Sequence, residues 1–292
     1  MCDEFTLADE ERALARRGMT RREFAALGTA AVAAAGCSGP AGSRENTREL
    51  AERTVQVTTA DGIADGFFVH PAKGAFPGIL MWPDVGGLRE SFRIMARRLA
   101  DSGFAVLAVN QYYRGAPAPV LASFAEWRTP AGQERLRPMI AALTPAAATR
   151  DAAAFTAFLD SQQAVDKARK IGTCGYCMGG PATVRTAAAV PTRVGAAASL
   201  HGANLVSDDP DSPVRLIAQT RASFLFAIGR NDDSRQPDAK DRLKAACEAA
   251  GRPAEIEVYP ADHGWCVPDN TSYDPNAADK AWGRMEALFA KL

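Results

Sequence analysis

From Thr54 onward, short apolar runs alternate with longer segments of helical spacing. No other feature of the sequence restricts the fold as much. The runs are Gly78–Trp82, Phe104–Val109, Ala168–Thr173, Val194–Leu200, Ser223–Ile228 and Ile256–Tyr259. GILMW and FAVLAV are continuously apolar, as expected of strands buried on both faces. Glu90–Ala100 repeats Phe92, Met95 and Leu99 at helical spacing. Ala146–Leu159 gathers Phe155, Phe158 and Leu159 on one face. Asp238–Ala250, stopped by Gly251, and Ala277–Leu292 read as further helices. Thr54–Thr59 and Ile63–His70 read as an opening hairpin across Asp61-Gly62. Residues 114–145 are rich in proline and read as an irregular cap or loop insertion. The predicted fold class is α/β, a mostly parallel central sheet with helices on both faces. Ligands of such sheets gather at the carboxyl ends of the strands.

The 34 basic residues equal the 34 acidic ones, so no excess charge points to nucleic acid. The N-terminus stands apart from the α/β pattern. Arg21 and Arg22 precede an uncharged, alanine-rich run from Ala25 to Gly36. That run is about half the ~20 residues a spanning helix needs. Thr-Arg-Arg-Glu-Phe followed by a weak apolar stretch resembles a twin-arginine export signal. Its end, Ala34-Ala35-Gly36-Cys37, resembles a bacterial lipobox in which Cys37 would be lipidated. The expected organisation is therefore an export signal over 1–37, a polar tether over 38–53 and an α/β domain over 54–292. Such a protein would reach the periplasm or cell envelope, tethered through acyl chains on Cys37.

Residues 172–180 read GTCGYCMGG, between a strand and a helix. Gly175-Tyr176-Cys177-Met178-Gly179 fits the G-x-S-x-G nucleophile elbow with Cys in place of Ser. The turn would lift the Cys177 thiol to the sheet rim, at a helix N-terminus whose partial positive charge favours thiolate. An elbow of this kind demands an acid and then a histidine downstream. Asp232 follows the strand FLFAIG, with Asp233 in reserve, and His263 follows the strand IEVY and a short loop. Nucleophile, acid and histidine would then share one rim. Other readings of the two cysteines fit less well. A redox pair opens a helix with its first Cys, whereas Cys174 lies at the strand end. Zinc would need further soft ligands, and there is no second CxxC. The Lys of a P-loop is absent. No metal or cofactor is expected. A structural thiol packed in a turn is the bland alternative. In an oxidising compartment, a Cys174–Cys177 disulfide would silence the nucleophile.

From about Val55 to Leu292 these motifs resemble the dienelactone hydrolase family. Gly175–Gly180 is similar to its cysteine elbow, Gly229-Arg230-Asn231-Asp232 to its acid segment, and His263-Gly264-Trp265 to its histidine segment. Asn110–Arg114 (NQYYR) and Leu200-His201-Gly202 are similar to two further family segments. The resemblance implies an α/β-hydrolase that cleaves small ester or lactone substrates with a Cys177–His263–Asp232 triad; the alternatives are a general carboxylesterase or thioesterase, or a non-catalytic redox or binding protein on the same fold. It implies an oxyanion hole formed by the N–H groups of Val85 and Met178. It also implies that Asp84, standing where better-known members have Glu, contacts the resting thiol. His201, Tyr112, Arg114 and Trp265 become candidates for the pocket, with His201 as a lining residue or hydrogen-bond donor. Val267 stands where those members carry a substrate-binding Arg. Arg128, Arg135 and Arg137 are the cap arginines available for such a role.

Overall fold

The computed structural model describes residues 48–292. The expected export signal, with Arg21, Arg22 and Cys37, lies outside the described residues. Eight strands form one sheet in the order β1-β2-β4-β3-β5-β6-β7-β8. They are β1 (Leu50–Thr59), β2 (Gly62–Pro71), β3 (Gly78–Trp82), β4 (Ala105–Val109), β5 (Ile171–Tyr176), β6 (Val194–Leu200), β7 (Ser223–Gly229) and β8 (Ala254–Tyr259). The hairpin and the β2–β4 pair are antiparallel. From β4 through β3 to β8 every pair is parallel.

Among the described residues nine α-helices accompany them: α1 (Glu90–Asp101), α2 (Phe124–Trp127), α3 (Pro130–Ala142), α4 (Pro145–Ser161), α5 (Gly180–Ala189), α6 (Pro213–Leu216), α7 (Arg230–Arg235), α8 (Ala239–Ala249) and α9 (Pro275–Phe289). Successive strand residues point to opposite faces, so each central strand feeds two cores. Ile79 and Met81 of β3 pack with Phe92, Met95 and Leu99 of α1 and with Met285 and Phe289 of α9. Leu80 and Trp82 pack on the other face with Phe155 and Leu159 of α4, Val184 of α5 and Leu243 of α8. A third, smaller core lies under α2 and α3.

Two expectations need correction. The first strand begins at Leu50, not Thr54, because Leu50–Arg53 pair with Phe68–Pro71 of β2. The expected tether over 38–53 therefore ends inside the sheet. The proline-rich stretch 114–145 is largely helical. Pro130 and Pro145 begin α3 and α4, where a missing N–H and a fixed φ are tolerated. Thr129 and Thr144 cap those helices by accepting from Gly132 N–H at 3.0 Å and Ala147 N–H at 3.2 Å.

Candidate active site

Cys177 follows directly on β5 and has φ 52°, a left-handed value that costs a residue with a Cβ about 1–2 kcal/mol. Two hydrogen bonds hold it there. Its N–H donates to His201 Nδ1 at 3.1 Å, and its carbonyl accepts from Ala203 N–H at 3.1 Å. The flanking glycines answer to close backbone contacts. A Cβ on Gly175 would stand 2.1 Å from the Gly179 carbonyl oxygen. One on Gly179 would stand 2.4 Å from the Trp82 carbonyl oxygen, at the end of β3. The Gly-x-Cys-x-Gly spacing is thus the condition for packing elbow, β5 and β3 together.

Asp232 lies in the first turn of α7, just beyond β7, and His263 follows β8. His263 Nδ1 lies 2.9 and 3.0 Å from the two Asp232 carboxylate oxygens. Asn231 Oδ1 accepts from the His263 N–H at 2.8 Å, which fixes the backbone of the histidine as well as its ring. Arg235 donates to Asp232 from the next turn. Burial disfavours a charged imidazole, but the Asp232 carboxylate, then Cys177, outweigh it and hold His263 well above the usual histidine range. Burial likewise works against the Asp232 charge, and His263 reverses it, leaving that carboxyl below its usual value. His263 Nε2 is buried, takes no protein nitrogen or oxygen as a partner, and has the Cys177 thiol beside it.

His201, just past β6, is completely buried, with its ring 4.9 Å from His263 and 5.1 Å from Trp265. It accepts at Nδ1 rather than donating there, as expected of a neutral ring. Burial, then the neighbouring His263, keep its pKa well below the usual value. Trp265 is buried behind the histidines and stacks on Tyr259 at 5.2 Å, a packing role rather than a pocket wall.

Val85 follows β3. Tyr112 Oη donates to the Val85 carbonyl at 2.9 Å and stands 3.3 Å from Met178 Sδ, so one phenol touches both candidate oxyanion residues. Gln111 Nε2 donates to the Asp84 carbonyl at 2.9 Å. The expected Asp84–thiol contact is not formed. The Asp84 carboxylate instead takes two hydrogen bonds from Arg89, at 2.6 and 2.9 Å, and one from Gly86 N–H at 2.8 Å. An adjacent buried guanidinium outcompetes a thiol for a buried carboxylate. Arg114 is also corrected. It pairs with Asp151 at 2.8 Å and Asp61 at 2.6 Å rather than facing the elbow. Arg135 and Arg137 are exposed on α3, and Arg128 is half-buried at the end of α2. Val267 is buried in the α1–α9 core.

Cys174 is a free thiol in that same core, and its burial pushes its pKa up. Cys177 is free as well, so the disulfide considered from the sequence is not formed. Among the described residues no group of three or more His, Cys, Asp or Glu side chains is arranged to hold a metal. Sequence reasoning missed Arg89, Asp269, Asn231 and Gln111. Asn231 lay in plain view, beside the acid in Gly-Arg-Asn-Asp.

The profile of the dienelactone hydrolase family matches residues 64–292. A carboxymethylenebutenolidase-like protein of Methylorubrum extorquens is 30% identical over 241 residues, 80% of this chain and 79% of its own. A similarly named protein of Synechocystis is 28% identical over 77% of this chain and 90% of its own. The fold is similar to the crystal structure of a dienelactone hydrolase-like protein of Klebsiella pneumoniae. The TM-score is 0.72 at 24% identity, covering 84% of this chain and all of that one. An eight-stranded α/β sheet, a cysteine elbow and a profile match running to the last residue lead to one assignment: the chain belongs to the dienelactone hydrolase family.

Proposed function

We propose that the protein hydrolyses ester or lactone bonds of a small molecule through a thioester on Cys177. The observation that carries this reading is the His263 imidazole. It is held at Nδ1 by both Asp232 oxygens and has the Cys177 thiol, raised on a left-handed turn, as the neighbour of its buried Nε2. His263 holds the proton that the Cys177 thiol gives up. The thiolate attacks the carbonyl carbon, and the N–H groups of Val85 and Met178 receive the charge on its oxygen. Collapse breaks the bond to the alkoxy oxygen, which takes the proton from His263. Water then gives a proton to His263 and attacks the thioester carbonyl. The carbon–sulfur bond breaks, the acid leaves and the thiol is restored. Asp232 keeps the ring in the required tautomer throughout. The test is turnover of a panel of small esters and lactones, under reductant, against Cys177→Ala. The reading expects turnover in the wild type and none above background in the variant. Turnover retained by the alanine protein would refute it.

We further propose that the N-terminal segment directs export to the cell envelope and ends in lipidation at Cys37. Cell fractionation tests this with an Arg21→Lys, Arg22→Lys double variant. The wild type should be found in the envelope and the variant should stay in the cytoplasm. Equal distribution of the two would overturn the proposal.

A further inference from the structure

Arg89 is a fully buried guanidinium that the triad does not use. It donates to Asp84 through Nη1 at 2.6 Å and Nη2 at 2.9 Å. It donates to Asp269 through Nε and Nη2, both at 2.8 Å, and to the Gly87 carbonyl at 3.1 Å. The rings of Phe92 and Phe124 lie 5.1 and 5.3 Å from its guanidinium carbon. Asp269 also accepts the Phe124 N–H at 2.9 Å. One cation thus joins the turn after β3, the loop after His263 and the cap.

Stability alone is a weak reason for such a network, because apolar replacements of buried ion groups are often neutral or better. Geometry gives a stronger one. Asp84 shares its peptide with the Val85 N–H. The carbonyl of that peptide accepts from Gln111 at 2.9 Å and from Gly87 N–H at 3.0 Å. The side chain of the same residue is clamped by Arg89 and Gly86. A planar trans peptide with a fixed carbonyl has its N–H fixed in the opposite direction. We propose that Arg89 is a positioning residue. It acts through Asp84 to aim the Val85 N–H at the developing oxyanion, and Asp269 anchors it to the loop that carries His263. The inference rests on the ester-hydrolysis reading.

Two readouts on the full protein separate this role from general damage. Ester turnover needs the oxyanion donor. Alkylation of Cys177 by iodoacetamide displaces iodide at a saturated carbon and develops no oxyanion. Arg89→Lys keeps the charge but cannot span both carboxylates. It should lower kcat about 10- to 100-fold, short of the full loss of a donor. KM and the Cys177 alkylation rate should stay within about twofold. Asp269→Asn keeps the Arg89–Asp84 pair and should show the same split with a smaller fall. It carries the test if the lysine variant does not accumulate folded. Alkylation falling in step with kcat, or kcat unchanged in both variants, would overturn the role of Arg89 alone. A wild type that alkylates normally yet turns over no ester would overturn the hydrolase reading and this inference with it.

Discussion

Two buried imidazoles, His201 and His263, stand 4.9 Å apart and are pulled in opposite directions. Asp232 and Cys177 favour the charged form of His263. Burial and His263 itself disfavour the charged form of His201. Asp232→Asn should lower kcat by about a thousandfold or more by losing the tautomer and the charge partner. It should also reshape stability against pH. A raised folded pKa on His263 adds stability that is complete below the unfolded value of about 6.5 and is lost as pH rises through the folded value. A depressed Asp232 adds stability that is present above its unfolded value and lost as pH falls through the folded one. The wild-type advantage over Asp232→Asn in urea unfolding should therefore peak between those limits. A flat difference across pH would contradict the pairing. His201→Ala should cost about 1–3 kcal/mol, because it strands the buried Cys177 N–H. That Cys177, Asp232 and His263 would share one rim was legible because each follows a strand in a fixed chain order. Asp84 was misassigned because its partner is decided by what packs beside it. Arg89 lies five residues away, and nothing in that local spacing marks it as a clamp.

Elements carry the next layer of constraint. The elbow is built by glycines that stand against backbone, and backbone cannot give way as a flexible side chain can. Gly179→Ala should therefore lose at least the 1–3 kcal/mol or so of an overpacked core site. Gly283, exposed in α9 with nothing within 4 Å of an added Cβ, is the opposite case. Gly283→Ala should gain about 0.5–1 kcal/mol. Urea midpoints of the two variants, moving in opposite directions, check both. Where sequence reasoning failed at this scale, it failed over proline. The prolines of 114–145 suggested broken structure, yet Pro130 and Pro145 start helices whose caps, Thr129 and Thr144, immediately precede them. The start of β1 was missed for a different reason. Leu50–Arg53 carry too little apolar pattern to read as a strand until β2 supplies the pairing.

At the scale of the molecule, the sheet brings five strand ends to one rim. Residue 85 follows β3, 177 follows β5, 201 follows β6, 232 follows β7 within α7, and 263 follows β8. This gathering was legible, because strand–helix alternation fixes which ends of parallel strands face the same way. The cap was not. Its small core joins Trp127, Leu136 and Phe124 to Val85 and, more loosely, to Met178. It is separate from the two sheet cores, so Trp127→Ala should raise hydrogen exchange in α2 and α3 while β3–β7 stay protected. Uniform loss of protection would show that the cap does not open independently. The proposed hydrolysis passes its acyl group through Cys177. Its most direct test is to mix the protein with an activated ester, quench in acid within the first turnover and locate the acyl group by peptide mass spectrometry. The acyl mass should appear on the peptide containing Cys177, be absent from Cys177→Ala and rise as deacylation slows. Turnover with no adduct there, or an adduct only on Cys174 or Cys266, would contradict it.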